Sequence, residues 1–583
     1  MIFRRRPRLG TFTPPQPDPA RPDLKVAVIL DPFSELAFRY EWDQITFGPQ
    51  DWRQVLELNR PQLLFVESAW NGNEGRWRLH MTQVDRPSTE LTELVAWCRA
   101  EGIPTVFWNK EDPPNYDKFI ETARLFDQVF TVDADRIEVY RRDLGHDRIA
   151  LLPFGAQPAL HNPVRYPIRG LPARPYDVAF AGTWFAQKHP QRRAQMEYVL
   201  GPALEHGLHI WSRMQRGDKR YRFPKPYRKH VVGSLPYEKM LAAYTAYKVF
   251  LNVNSVTESR SMCSRRLFEL SAAETAIISA PAASIEPFFG GTVTVVENAE
   301  QTEEALVRLL GDADVRDRQA LRAHRRVYDE HLYTHRVDTV LASVGLGAAA
   351  STIPSVSAIV PTVRPEQVDH VLAYIARQSH PRIQLVLVTH GFVLDEQALR
   401  DQAAAAGVAD LVLVAADTDL TLGAILNLGI DAAQGDLVTK MDDDNFYGEH
   451  YLTDLVRALE FSRADVVGKW AHYVLLESAG ETLLRFAHAE HRYVPQVQGG
   501  TLLMRRSLAE ELRFDDLPRG VDTAFLARVI GSGRRVYAAD RFNFVSVRRA
   551  DPGSHTWTIS DDEIRARSSQ VVETTNPYAL AEV

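Results

Sequence analysis

Short apolar runs, each followed by a stretch of helical character, recur through most of this chain, and that alternation constrains its fold more than any other feature. Residues 24–30 read Leu24-Lys25-Val26-Ala27-Val28-Ile29-Leu30, and comparable runs follow at 63–66, 105–108, 128–132 and 149–153. A strand with one solvated face alternates apolar and polar residues. Runs that are nearly unbroken belong to strands covered on both faces, as in parallel sheets sandwiched between helices. The chain is therefore expected to be α/β, built from doubly wound sheets.

With 583 residues it exceeds a single core, so several compact units are expected. A net charge of −7 gives no reason to propose nucleic acid as a partner. Only Cys98 and Cys263 are present, which excludes a disulfide framework or a cysteine-rich zinc site and fits a reducing cytoplasm. Arg4, Arg5, Arg6 and Arg8 are followed by a proline-rich stretch rather than an apolar core, so they do not form a signal peptide. They are expected to lie in a flexible basic arm, residues 1–23, able to touch anionic headgroups at the inner membrane surface. No apolar stretch reaches transmembrane length.

Composition shifts divide the remainder. Residues 24–165 form a first Rossmann-like domain, and a loop rich in proline and arginine, 156–174, leads to a second at 166–344. The second has strands at 177–182, 249–253 and 276–279 and a helical tract at 303–344. Residues 345–354 are small and unpatterned and read as a linker. A third unit, 355–583, opens with a strand at 356–361 and continues with strands at 383–388, 411–414 and 437–441.

Immediately after that last strand stand Asp442, Asp443 and Asp444. Adjacent carboxylates repel one another, and a divalent cation relieves the repulsion. In open α/β sheets ligands collect at the carboxyl ends of strands, where these acids fall. The competing reading is an exposed turn opening a helix at 447–459.

The ordered series Pro361-Thr362-Val363-Arg364, then 422–430 with Asn427, then Ala433-Gln434-Gly435-Asp436 and Asp442-Asp443-Asp444 resembles the family 2 glycosyltransferases, which have the GT-A fold. The resemblance implies that Asp442 and Asp444 coordinate Mn²⁺ or Mg²⁺ on the diphosphate of a nucleotide-sugar donor, with Arg364, Asn427 and Asp443 at the donor. Residues 496–506, with Gln498-Gly499-Gly500, resemble the family's glycine-containing acceptor loop and the strand after it. Asp522 matches the family's catalytic base, although Val521 replaces the glutamate that usually precedes it. The competing role for Asp522 is a helix cap. His555, in Gly553-Ser554-His555-Thr556-Trp557, stands where some GT-A enzymes have a histidine metal ligand.

Residues 24–343 resemble the two-Rossmann-domain GT-B glycosyltransferases of the spore-maturation CgeB type. The resemblance rests on Phe180-Ala181-Gly182-Thr183-Trp184, on Arg265-Arg266-Leu267-Phe268-Glu269 and on His331-Leu332-Tyr333-Thr334-His335-Arg336. It implies that Glu269 binds the donor ribose, that Arg265 or Arg266 pairs with the diphosphate without a metal, and that Gly182 lets backbone approach the ligand. Glu111 and Asp112 stand at the presumed cleft, either acting on the acceptor, paired with Lys110 or capping a helix.

These readings converge on a bifunctional glycosyltransferase that builds a bacterial surface polysaccharide or glycoconjugate, using nucleotide-sugar donors and a glycan or lipid-linked glycan acceptor. The alternative is a single GT-A activity whose GT-B region is a degenerate glycan-binding module.

Overall fold

The computed structural model describes residues 6–82, 86–186, 190–214, 218–347, 353–550 and 559–583. It separates into two compact units, Met1–Ser351 and Thr352–Val583, with the division inside the expected linker. Among the described residues no helix is long and apolar enough to cross a membrane.

The amino-terminal unit holds two six-stranded parallel sheets. Across the first, the strands run Trp42–Thr46, Arg21–Ile29, Leu63–Glu67, Thr105–Asn109, Gln128–Thr131 and Ile149–Leu151. Across the second they run Thr294–Val295, Ala276–Ser279, Tyr247–Asn252, Tyr176–Gly182, His209–Ser212 and Val231–Gly233. The interior strands Leu63–Glu67 and Thr105–Asn109 are buried at every position, which is why they appear in the sequence as unbroken apolar runs. The helical tract resolves into three helices, Ala299–Gly311, Ala313–Glu330 and Tyr333–Ser343. The last of them returns to the first sheet: Tyr333 packs on Phe38, the Thr334 hydroxyl donates to Glu41, and the Arg336 guanidinium donates to the Phe154 carbonyl.

The amino-terminal arm differs from expectation. Arg6 donates to the Ser234 carbonyl and lies over the Trp211 ring, Arg8 donates to the Arg169 carbonyl, and Tyr40 donates to the Pro15 carbonyl. From residue 6 onward the arm is a strap that touches both Rossmann halves, because its arginines find carbonyl acceptors and an aromatic face there. Arg6 and Arg8 are thus committed to the fold rather than held out for a membrane; Arg4 and Arg5 lie outside the described residues.

The carboxyl-terminal unit is built on an eight-stranded mixed sheet, ordered Leu411–Ala416, Ile383–His390, Val356–Thr362, Leu437–Lys440, Leu503–Arg505, Val466–Gly468, Val536–Ala538 and Arg492–Tyr493. A second sheet of five strands stands beside it. In the large sheet the parallel order reverses at Leu437–Lys440, whose other neighbour, Leu503–Arg505, runs antiparallel. That reversal brings residues 498–502 back beside the acid triplet. The helix expected at 447–459 begins only at Tyr451, with His450 as its cap residue. The triplet therefore does not cap a helix.

Candidate active sites

Two acids at the carboxyl-terminal site are fixed by the same pair of glycines. A Cβ placed on Gly499 would lie 2.6 Å from Asp522 Cγ, and one placed on Gly500 would lie 2.7 Å from Asp442 Cγ. The backbone of the loop thus separates two carboxylates at a distance that only glycine permits. Asp522 sits in the first turn of the helix Val521–Gly531, whose cap residue is Gly520, so it is not the cap.

Lys440 ends the strand that precedes the triplet, and its side chain is buried. Its ammonium donates to Asp442 Oδ1 at 2.8 Å and to the Gly499 carbonyl at 3.2 Å, and stands 3.6 Å from Asp522 Oδ2. Burial works against its charge, but Asp442 and Asp522 outweigh burial and hold the ammonium above the ordinary lysine value. For Asp522 burial is the largest influence; together with Asp442 it raises the carboxyl above the usual aspartate range, and Lys440 draws it partly back. Its Oδ1 is buried and has no hydrogen-bond partner.

The triplet itself is braced from several sides. Tyr447 accepts from the Asp442 amide at 2.7 Å and donates to the Gly500 carbonyl at 2.8 Å, while Asn445 donates to Asp442 Oδ2 at 3.0 Å. Asp443 points toward the first strand, where the Thr362 hydroxyl donates to it at 2.6 Å and Arg364 pairs with it. Arg364 also pairs with Asp444 at 2.8 Å. Burial raises the Asp444 carboxyl, Asp442 and Asp443 add to the rise, and Arg364 opposes it.

These six side chains set four carboxylates against two cations, leaving a formal excess of two negative charges. The donors are hard oxygens, and the excess matches one divalent cation. Among the described residues no group of three or more His, Cys, Asp or Glu side chains could hold a metal ion. A cation of the Mg²⁺ or Mn²⁺ kind, which binds through one or two carboxylates, would need phosphate oxygens to complete its shell here. His555 lies outside the described residues.

Asn427 is placed differently from the acids. Its amide donates to the Phe514 carbonyl at 2.9 Å and its oxygen accepts from the Phe514 amide at 2.9 Å, so both ends secure the segment leading to Asp522.

In the amino-terminal unit the expected ribose ligand Glu269 is 1% exposed and fully engaged. Tyr237 and Tyr244 each donate to it at 2.7 Å, and Arg265 Nε lies 3.2 Å away. Burial opposes its charge, but Arg265 and His161 outweigh burial and keep the carboxyl below the ordinary glutamate value. The structure thus makes Glu269 the internal counter-charge of Arg265. Arg265 stacks 3.7 Å above the Phe33 ring of the first half, and Lys110 lies 4.2 Å from the same ring.

Arg192 and Arg213 join Arg265 and Arg266 to form a cluster of like charge. Burial, then Arg266 and Arg213, lower Arg192 to about 10. Buried atoms of Arg192, Arg265 and Arg266 have no hydrogen-bond partner. Gly182 borders this cluster; a Cβ there would stand 2.9 Å from the Phe180 ring and 3.5 Å from Arg192. Lys110 pairs with Asp31 at 2.8 Å and Glu67 at 2.9 Å, not with Glu111 or Asp112. Asp112 is enclosed by Thr131, Tyr140 and Asn109, and burial pushes its carboxyl up to about 7.

Of the residues singled out in the sequence, the fold brings together Arg364, Asp442, Asp443, Asp444 and Asp522. It also gathers Gly182, Arg265, Arg266 and Glu269 in the other unit. Lys440, Arg192, Arg213 and Phe33 were not singled out. A lysine ending an apolar strand two residues before three acids was the local signal for Lys440.

The chain matches the family described as Glycosyl transferase-like over residues 191–342 and Glycosyl transferase family 2 over residues 357–512. Among solved structures, the mannosyltransferase PcManGT from Pyrobaculum calidifontis, in complex with GDP-Man and Mn²⁺, is 20% identical. That match covers 34% of this chain and 57% of that one, with a TM-score of 0.27. Residues 1–349 of S. aureus TarS, in complex with UDP-GlcNAc, are 18% identical over 33% of this chain and 59% of that one, again with a TM-score of 0.27. The chain thus spans less than two thirds of the length of these two structures. No curated protein is matched. Two consecutive stretches of the chain are thus similar to glycosyltransferase families, the first to a glycosyl transferase-like model and the second to family 2.

Proposed function

We propose that the carboxyl-terminal unit transfers a glycosyl group from a nucleotide-sugar donor to a hydroxyl of a glycan or lipid-linked glycan, with inversion. The observation that carries this reading is the placement of Asp522 and Asp442 on the two glycines of one loop, with Lys440 reaching both. Asp522, whose side chain is partly exposed, offers its carboxylate to the acceptor hydroxyl and takes its proton. The hydroxyl oxygen bonds to the anomeric carbon as that carbon's bond to the diphosphate breaks, the electron pair leaving with the nucleoside diphosphate. Attack from the face opposite the leaving group inverts the centre. Burial makes Asp522 a better proton acceptor than a free carboxylate.

Asp442 and Asp444 would hold Mg²⁺ or Mn²⁺, which supplies positive charge to the diphosphate as the glycosidic bond breaks. Arg364 keeps Asp443 and Asp444 in place beside the first strand.

In the amino-terminal unit the arginine cluster supports a second, metal-free donor site, since guanidinium groups with unpartnered N–H donors suit a diphosphate. Two transfers by one chain would raise the local concentration of a shared carrier-linked intermediate, as suits assembly of a bacterial surface polysaccharide or glycoconjugate. Nucleotide sugars place both reactions in the cytoplasm.

A panel of UDP- and GDP-sugars assayed with and without Mn²⁺ tests this on the full chain. The expected result is metal-dependent turnover lost in Asp444→Asn, and chelator-resistant turnover lost in Arg213→Ala and Arg266→Ala. Metal-independent turnover that needs Asp522 counts against the carboxyl-terminal site as described. Loss of all turnover in Asp442→Asn with Asp444→Asn makes the amino-terminal unit a glycan-binding module.

A further inference from the structure

Lys440 has an unusual set of neighbours for a buried ammonium. It carries three N–H donors and has three acceptors within reach, Asp442 Oδ1 at 2.8 Å, the Gly499 carbonyl at 3.2 Å and Asp522 Oδ2 at 3.6 Å. One acceptor belongs to the donor side, one to the acceptor loop and one to the base. The contact to Asp442 is tight, whereas that to Asp522 is longer than the about 2.8 Å of a charge-assisted hydrogen bond. The ammonium is therefore held mainly by the donor carboxylate and has room to close on the base.

We propose that Lys440 is a positioning residue that couples donor loading to placement of Asp522. A divalent cation held at Asp442 would repel the ammonium and draw Asp442 away from it. Because Lys440 is buried, water does not replace the weakened contact. The acceptors that remain are the Gly499 carbonyl and Asp522, so the ammonium tightens on Asp522 Oδ2 and fixes the carboxylate beside the acceptor loop. The base is thus fully set only once the donor's cation is in place. The fixed points of the lever are local: Lys440 N–H donates to the Leu502 carbonyl at 2.9 Å, and Gln498 accepts from the Gly500 amide at 2.6 Å, so the strand end and the loop hold their spacing while the ammonium shifts. This inference rests on the proposed metal-dependent transfer at the same site.

The test is Lys440→Met in the full chain, read in two ways. Isothermal titration with Mn²⁺ alone should show binding about tenfold tighter than wild type, because the competing cation is gone. Turnover of UDP-GlcNAc or GDP-mannose, whichever the wild type uses, should fall about 100-fold in kcat without a rise in donor KM, because the base is misplaced. A merely structural lysine would weaken both. Lys440→Arg, which keeps the charge, should leave Mn²⁺ affinity near wild type and restore part of kcat, and it stands in should the methionine variant not fold. Weaker Mn²⁺ binding in Lys440→Met, or unchanged kcat, overturns the coupling while leaving the site intact. Wild-type protein that binds no Mn²⁺ dependent on Asp444 overturns the metal site itself, and the coupling with it.

Discussion

Replacing Gly499 by alanine isolates the placement of the base from every other property of the carboxyl-terminal site. The added methyl would stand 2.6 Å from Asp522 Cγ and 3.1 Å from its Cβ, where ordinary contact begins at about 3.4 Å. The nearest atom, Asp522 Oδ2, would lie 2.0 Å from the methyl, so the carboxylate must swing away by roughly 1 Å or more, since the loop is tied to the strand end through Lys440 and cannot retreat freely. A displacement of about 1 Å at a reacting group costs on the order of 100-fold in rate. Crowding one methyl into a packed site costs about 1–3 kcal/mol of stability, which a thermal melt resolves as a fall of several degrees. Steady-state kinetics of Gly499→Ala should therefore show kcat reduced about 100-fold with the donor KM little changed. Gly500→Ala, which presses on Asp442 instead, should raise donor KM and the Mn²⁺ requirement. Wild-type kcat in Gly499→Ala, with the fold intact, would show that Asp522 is not the base in the geometry seen here.

Three further outcomes follow from the same structure. Asp522→Asn should retain donor and Mn²⁺ binding while kcat falls by about 10²- to 10⁴-fold, the usual contribution of a general base. Arg364→Met leaves the buried Asp443 with only the Thr362 hydroxyl, and should cost about 3–5 kcal/mol in denaturant unfolding; adding Asp443→Asn should recover much of it, because the uncompensated charge is removed. In the amino-terminal unit, Asp112 has a folded pKa of about 7, above its unfolded value, so the folded state binds the extra proton and this group's contribution falls as pH rises from about 4 to about 7. The difference in stability between wild type and Asp112→Asn should accordingly shift by on the order of 4 kcal/mol across that window and stay flat above it. A pH-independent difference would show that Asp112 does not titrate there.

The parts of the fold that were legible in sequence are those with a local cause. Val26, Ala27, Val28 and Ile29 are all buried because helices cover both sheet faces, so their strand announces itself as an apolar run. The strands Trp42–Thr46 and Val231–Gly233 were not legible, since both lie at sheet edges, and the first carries Asp43 and Gln44 among its five residues. His209–Ser212 has a sequence too short and mixed to stand out, and it is fixed by pairing with Tyr176–Gly182. The arm is illegible for a similar reason: arginines and prolines are typical of solvated tails, and the partners of Arg6 and Arg8, the carbonyls of Ser234 and Arg169 and the Trp211 ring, lie far away in sequence.

The two units show the same limit in their chemistry. In the carboxyl-terminal unit the acids were legible because three adjacent aspartates have few inexpensive resting places, and their order with Asp522 follows from strand-end loops. What remained hidden was the electrostatic partner of each acid. Lys440 acquires its role only when the strand Leu437–Lys440 pairs antiparallel with Leu503–Arg505 and brings Gly499 and Asp522 over its ammonium. Glu269 is the converse case: the resemblance to GT-B enzymes implied a ribose ligand, yet two tyrosines from the helix Tyr237–Tyr244 enclose it and turn its charge inward. A carboxylate that already accepts from two hydroxyls and faces a guanidinium has little capacity left for a ribose, whereas the guanidinium it anchors still has a buried Nη1 without a partner. In the proposed amino-terminal donor site the free N–H donors are therefore those of the arginines, and Glu269 holds Arg265 against Phe33.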